Sequence, residues 1–399
     1  MLNFYYMYGL IWSFVIILYL FSWSDFNKRL DTGLLLFFIF TILFSFFMGY
    51  IRKNKFKYIP CKIKTHKHTI TVLITLGFML DFLYSRQIPF ISIISGQSKY
   101  MDFTGIPVLH VFLVAVGQIN CFYLFYKYLS FSNKKTKIKL LLDMVIIILM
   151  YLLLFSRQVL MIIVIGCLII LYSDLRYYNK ISINKKRFLI IIFILILFLY
   201  LFGVLGNLRS GFVWNDCTWI EKIGKFNEKY PFFLPKQFMW GYLYITNPLS
   251  NLSNALITNV SSEDNIFYYL IPEFISKRIG GPTYDFWSTS ERFNLVADYL
   301  NATTGFSDVM LSKKYLGMII YYIIVVIYSE MVIRINKKGN YLIIAMVVMD
   351  IVVIFLFFFN TLSYSGTSLQ IIIMLFIGII ENKKIKFKIK KLTIREEKL

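Results

Sequence analysis

Residues 191–202 read IIFILILFLYLF, an unbroken apolar run with no polar face to give to water. A soluble helix spaces its apolar residues by three and four, and a half-buried strand alternates them; a run with neither period is apolar on every side and belongs in hydrocarbon. Membrane β-barrel strands alternate lipid-facing and lumen-facing residues over about ten positions, so the same stretch excludes a barrel. The 399 residues are 58% hydrophobic and 19% aromatic, and the mean hydropathy is +0.66. The expected fold class is an all-α polytopic membrane protein.

Windows of about 18 to 22 apolar residues place spans near 3–22, 33–51, 69–84, 106–130, 138–155, 158–174, 187–206, 314–333, 341–359 and 365–381. That makes about ten transmembrane helices, with eleven or twelve as the alternative count. The third is the weakest span, interrupted by Asp81 and followed by Gln87-Ile88-Pro89. The first has no basic n-region and no small-residue cleavage site, so it reads as a span and not as a signal peptide. The chain divides into seven helices over 1–206, a large loop over 207–313, three helices over 314–381 and a basic tail over 382–399.

A net charge of +22 on a soluble chain would suggest nucleic acid, but the position of the charge argues otherwise. Basic residues crowd alternate connections: Arg52 to Lys67, Lys134 to Lys139, Arg176 to Arg187, Arg334 to Lys338, and the tail from Lys383 to Lys398. The opposite short connections hold only Lys28, Arg29, Arg86, Lys99 and Arg157. By the positive-inside rule both termini are expected in the cytoplasm and the large loop outside it. The basic tail is then a solvated end near anionic lipid, and no nucleic-acid partner is expected.

Of four cysteines only Cys217 falls in the outer loop, so no external disulfide is expected. His66 and His68 fall in a cytoplasmic connection and His110 stands alone, and no Cys or His cluster has ligand spacing in the sequence. No metal and no cofactor is therefore assigned.

The hundred-residue loop is where chemistry is expected, because connections of that length are functional or folded in their own right. Its stretches 218–229 and 236–257 read as helical, the second apolar enough to lie along the membrane surface. It holds Trp214, Trp219, Trp240 and Trp287, rings that serve either as interfacial anchors or as platforms for sugar faces. Sequons at Asn251, Asn259 and Asn301 are what chance gives in a loop rich in Asn, Ser and Thr.

Charges at a membrane edge need a reason. Arg157, in Phe155-Ser156-Arg157-Gln158, is either a snorkelling interface residue or an inward guanidinium fork for phosphate. Arg209 lies between glycines in Gly206-Asn207-Leu208-Arg209-Ser210-Gly211, and Arg278 and Arg292 follow in the loop, where a solvated face is the default for Arg292. Tyr100 and Asp102 precede Gly105-Ile106-Pro107, and His110 stands one turn inside the fourth span as either a packing residue or a base. Carboxylates for general-base work are Glu273, Asp285, Glu291, Asp298 and Asp308, among which the sequence does not choose.

The layout resembles the bacterial oligosaccharide repeat-unit polymerases, the Wzy-type O-antigen and capsule polymerases. The features are Tyr100 to Pro107 ahead of a helix, Ser156-Arg157 at a turn, Asn207-x-Arg209 opening a late outer loop, and the returning segment Tyr299 to Gly317. The resemblance implies a GT-C-like, metal-independent glycosyltransferase of the bacterial inner membrane, acting on undecaprenyl-diphosphate-linked oligosaccharides in the lipid and working with a chain-length regulator protein. Arg157, Arg209, Arg278 and Arg292 would hold diphosphate. Tyr100, Asp102, Trp240 and Trp287 would bind substrate, and Glu273, Asp298 or His110 would act as the base. The O-antigen ligases resemble this layout too but carry a functional His in the large loop, and none occurs between 207 and 313. A lipid-linked oligosaccharide flippase or exporter is the rival from another class, though such bundles need no hundred-residue outer segment. A sugar acyltransferase is a further alternative.

Overall fold

On the helix over Thr32–Arg52 the exposed side chains Leu36, Phe40, Leu43 and Phe47 follow one another at intervals of four and three. Leu34, Phe38, Thr41 and Ser45 face inward on the other side. An apolar stripe turned outward beside a partly polar interior is the reverse of a water-soluble helix and fits a lipid surround. The computed structural model describes residues 3–61, 66–94, 103–178, 185–282, 292–337 and 339–396. Among them there is no strand, only an isolated bridge between Ser24 and Phe226.

The helices are α1 Phe4–Leu20, α2 Thr32–Arg52, α3 Thr69–Ser85, α4 Pro89–Ile94, α5 Leu109–Ser130, α6 Lys134–Leu153 and α7 Arg157–Tyr177. They continue with α8 Lys185–Arg209, α9 Thr218–Ile223, α10 Phe238–Ile257, α11 Glu273–Ser276, α12 Ser307–Asn336, α13 Leu342–Ile354 and α14 Ser365–Glu396. Starts are set by side chains that satisfy the orphan amides of a first turn: Asn3 accepts from the Tyr6 N–H, Asp31 from Leu34 and Asn133 from Lys135. Each of the ten apolar windows falls on one of these helices. Five stretches among the described residues, within α2, α5, α7, α12 and α14, are long and apolar enough to cross a membrane. The described residues are thus all-helical, with helices suited by length and composition to a membrane.

Two cores share one wall. The larger gathers α1, α2, α10, α12, α14, the almost wholly enclosed α13 and one face of α7; the smaller gathers α3, α5, α6 and the other face of α7. α5 serves both, giving Ile119, Phe122 and Tyr126 to the first and Leu113, Val114, Cys121 and Leu124 to the second. A hydrogen bond from Gln370 to Gln118 ties α14 to α5 in the interior.

Side-chain pairings define two ends of the bundle. At one, Arg52 pairs with Glu330, Tyr58 donates to Asp174, and Glu381 accepts from Asn340. The lysine-rich connections meet here, and this is the basic end. At the other, Tyr315 donates to Asp31, Ser24 donates to the Gly224 carbonyl, and α3 meets the start of α5. The long segment after α8 packs here, and this is the loop end.

That segment is more embedded than its sequence implies. α10 packs against α1, α8 and α12, with Thr246, Asn247, Ser250 and Asn251 buried. Asn251 donates to the carbonyls of Leu300 and Ala302 at 2.7 and 2.8 Å and accepts from Val296 N–H at 3.0 Å. Asn247 and Asn254, on the same helical face, donate to Leu300 and Asn294. The sequon at Asn251 is therefore an interior clamp. α12 starts at Ser307 and breaks at Lys313 and Lys314, where φ reaches +50° and the Lys314 ammonium donates to the Val260 carbonyl at 2.5 Å.

Candidate functional site

Asp81 lies four residues before the end of α3 and is fully enclosed, its side chain 0% exposed. A buried carboxylate must be paired or hydrogen-bonded to be tolerated. Its Oδ2 lies 2.5 Å from Nδ1 of His110, in the first turn of α5, and its Oδ1 accepts the Ile106 N–H at 2.6 Å. Gly105 makes the approach feasible, since a Cβ there would stand 2.7 Å from Asp81 Oδ1 and 2.9 Å from His110 Cβ. Ser85 bridges the two strands of chain by donating to the carbonyls of Asp81 and Thr104.

The backbone beside this pair is strained. Val108, immediately before α5, has φ +69°, a region a β-branched residue rarely enters. Arg86 after α3 and Phe155 before α7 also have positive φ, at +51° and +56°. All three turns belong to the loop end of the smaller helix group. His110 remains 30% exposed, and its Nε2 makes no hydrogen bond among the described residues. A carboxylate on Nδ1 fixes the tautomer and leaves Nε2 as the nitrogen that takes up a proton.

Of Arg157 and Arg209 the structure describes the backbone: Arg157 opens α7, which packs on α5, and Arg209 closes α8, which packs on α10. Arg278 is exposed in a single turn after α11. Arg292 is not on a solvated face. Its guanidinium pairs with Asp308 at 2.9 Å, donates to the Tyr269 hydroxyl at 2.7 Å and stacks over the Tyr269 and Phe293 rings. Tyr269 donates in turn to Asp264, and Asn360 donates to the Tyr269 carbonyl and to Asp308. The cluster fastens the loop to α12 and to the turn before α14.

Glu273 is paired with Lys277 one turn on, and Asp298 is exposed. Trp240 donates from Nε1 to Asn207 at 2.7 Å, and its indole packs over Gly206 and near Trp219. Asn207 also donates to the Trp214 carbonyl and the Cys217 sulfur, so it closes the start of the loop upon itself. Tyr100, Asp102, Trp287, Asp285 and Glu291 lie outside the described residues. His110 is thus the one general-base candidate that the structure joins to an orienting carboxylate. Asp81, the partner, carried a signal in the sequence as an acid inside an apolar segment.

At the basic end His66, His68 and Asp143 converge, their ligand atoms all within 4.8 Å of one another, and these could hold a metal ion. The sequence concealed this set because Asp143 comes from a different helix. No family model, curated protein or solved structure matches the chain.

Proposed function

We propose that the protein polymerises undecaprenyl-diphosphate-linked oligosaccharide repeat units by glycosyl transfer on the extracytoplasmic face of the bacterial cytoplasmic membrane. The observation that carries this reading is the Asp81–His110 pair at the loop end, opposite the lysine-rich connections. The positive-inside rule assigns that end to the outside, where lipid-linked units await elongation.

In this reading His110 Nε2 takes the proton from the acceptor sugar hydroxyl as its oxygen bonds to the anomeric carbon of the donor. The bond from that carbon to the diphosphate breaks, and undecaprenyl diphosphate departs with the electron pair. Asp81 stabilises the imidazolium that forms. Arg157 and Arg209, at helix ends on the same side, supply the positive charge for the departing diphosphate, the role a metal ion plays elsewhere. Arg292, already paired with Asp308, serves to hold the loop in place.

The test is incubation of the purified protein with synthetic undecaprenyl-diphosphate repeat units. A ladder of products is expected. His110→Ala and Asp81→Asn should each lower the rate by about 10²- to 10⁴-fold, the usual contribution of a positioned base, and His110→Ala, which leaves the buried Asp81 carboxylate without its imidazole, should also lower the melting temperature. Transfer of a single repeat to a different lipid would reassign the protein as a ligase. Movement of units across vesicles without bond formation would reassign it as a flippase.

A further inference from the structure

We propose that His66, His68 and Asp143 form a binding site for a divalent transition-metal ion of the zinc class, at the basic end of the bundle and separate from the Asp81–His110 pair. His66 and His68 lie just before α3, and Asp143 lies on α6. His66 Nε2 is 2.9 Å from Asp143 Oδ2, and His68 Nδ1 is 2.8 Å from Asp143 Oδ1. The His66 and Asp143 side chains are each 4% exposed, while that of His68 is 48% exposed.

The orientation of the buried pair points to a ligand. Although His66 Nε2 and Asp143 Oδ2 are close enough to bond, neither atom has a hydrogen-bond partner. A buried acceptor and a buried ring nitrogen that face each other off axis leave both groups unsatisfied, at a cost in free energy. An ion bound to both lone pairs removes that cost. With ligand bonds of about 2.0–2.1 Å in a tetrahedron, donor atoms stand about 3.3 Å apart, so the two His–Asp contacts open by a few tenths of an ångström while the three ligand atoms, which span up to 4.8 Å, draw together around the ion.

The donor set selects the metal class. Two imidazoles and one carboxylate suit zinc, cobalt or nickel, whereas magnesium and calcium seek all-oxygen surroundings. Three protein ligands leave a fourth position, on the side of the half-exposed His68, for water. Such an ion would fasten the connection between α2 and α3 onto α6. This inference does not depend on the glycosyl-transfer reading, because the two sites lie at opposite ends of α3.

Full-length protein purified in detergent, stripped with chelator and titrated with Co²⁺, tests it through the visible d–d absorption of a four-coordinate ion. One Co²⁺ per chain is expected, displaced by Zn²⁺. His68→Ala, at the half-exposed position, should weaken binding by more than about tenfold, the low end of what losing even an outer-shell partner costs. His68→Cys, which keeps a ligand, should restore it and add thiolate-to-metal charge transfer. Co²⁺ uptake that is absent, or unchanged in the His66→Ala/His68→Ala double variant, would overturn the site. Equal melting temperatures of stripped wild-type and His68→Ala protein separate loss of ligand from loss of fold.

Discussion

A carboxylate inside an apolar helix is stable only if its surroundings are built for it, and Asp81 is held by one imidazole, one backbone amide and the absence of a side chain at residue 105. Gly105 is accordingly a sensitive position. In Gly105→Ala the new methyl group collides with both oxygens of Asp81, which lies 0% exposed and has nowhere to go. The expected outcome is a loss of polymer ladder by at least about tenfold, since an ångström of misplacement can cost a hundredfold, while the protein still purifies as a monodisperse species. A fully active Gly105→Ala protein would argue that the pair is a packing device. Arg292 shows the opposite case: an arginine that the sequence offers as an anion ligand is spent on Asp308 and Tyr269. Residue type alone does not distinguish a guanidinium that waits for phosphate from one already neutralised.

α10 shows what an element adds beyond its residues. Asn247, Asn251 and Asn254 recur at four and three, so they share one face and meet the carbonyls of the segment from Asn294 to Ala302. Asn251→Ala removes two of these bonds and the one that Asn251 accepts from the Val296 N–H, at about 1 kcal/mol each or somewhat more where a backbone group is left unpaired. Its melting temperature in detergent should fall by several degrees, and amide exchange should rise over residues 294–302. Unaltered exchange there would show that the segment is held by other means. The helices themselves were legible: unbroken apolar runs name their own length, and all ten windows coincide with helices. What could not be read was every pairing between helices. Asp81 and His110 are 29 residues apart, and His68 and Asp143 are 75 apart, beyond any local period. Depth offered a clue, because Asp81 near the end of α3 and His110 near the start of α5 stand at matching levels of adjoining spans. The helices that α10 packs against were hidden for a related reason: its apolar face implies a greasy neighbour, and lipid and protein look alike from one strand of sequence.

For the whole molecule the lysine-rich connections and the long loop segment occupy opposite ends, and the proposed activity requires the loop end to face outward. Phe232, 100% exposed in that segment, is the position to probe. Phe232→Cys, in a background lacking the native cysteines, should react with a membrane-impermeant maleimide added to intact cells, whereas Lys134→Cys should react only after permeabilisation. The reverse pattern would remove the basis for any chemistry on lipid carriers outside the cell. The wall shared by the two cores also has a consequence during synthesis. Gln118 on α5 receives its hydrogen bond from Gln370, 252 positions later in the chain. At about 5 to 20 residues per second, the ribosome supplies the donor roughly ten to fifty seconds after the acceptor has been made. Throughout that interval a nascent amide sits in the bilayer without its mate, and a chain stalled before residue 370 displays a polar mark that membrane quality control can read.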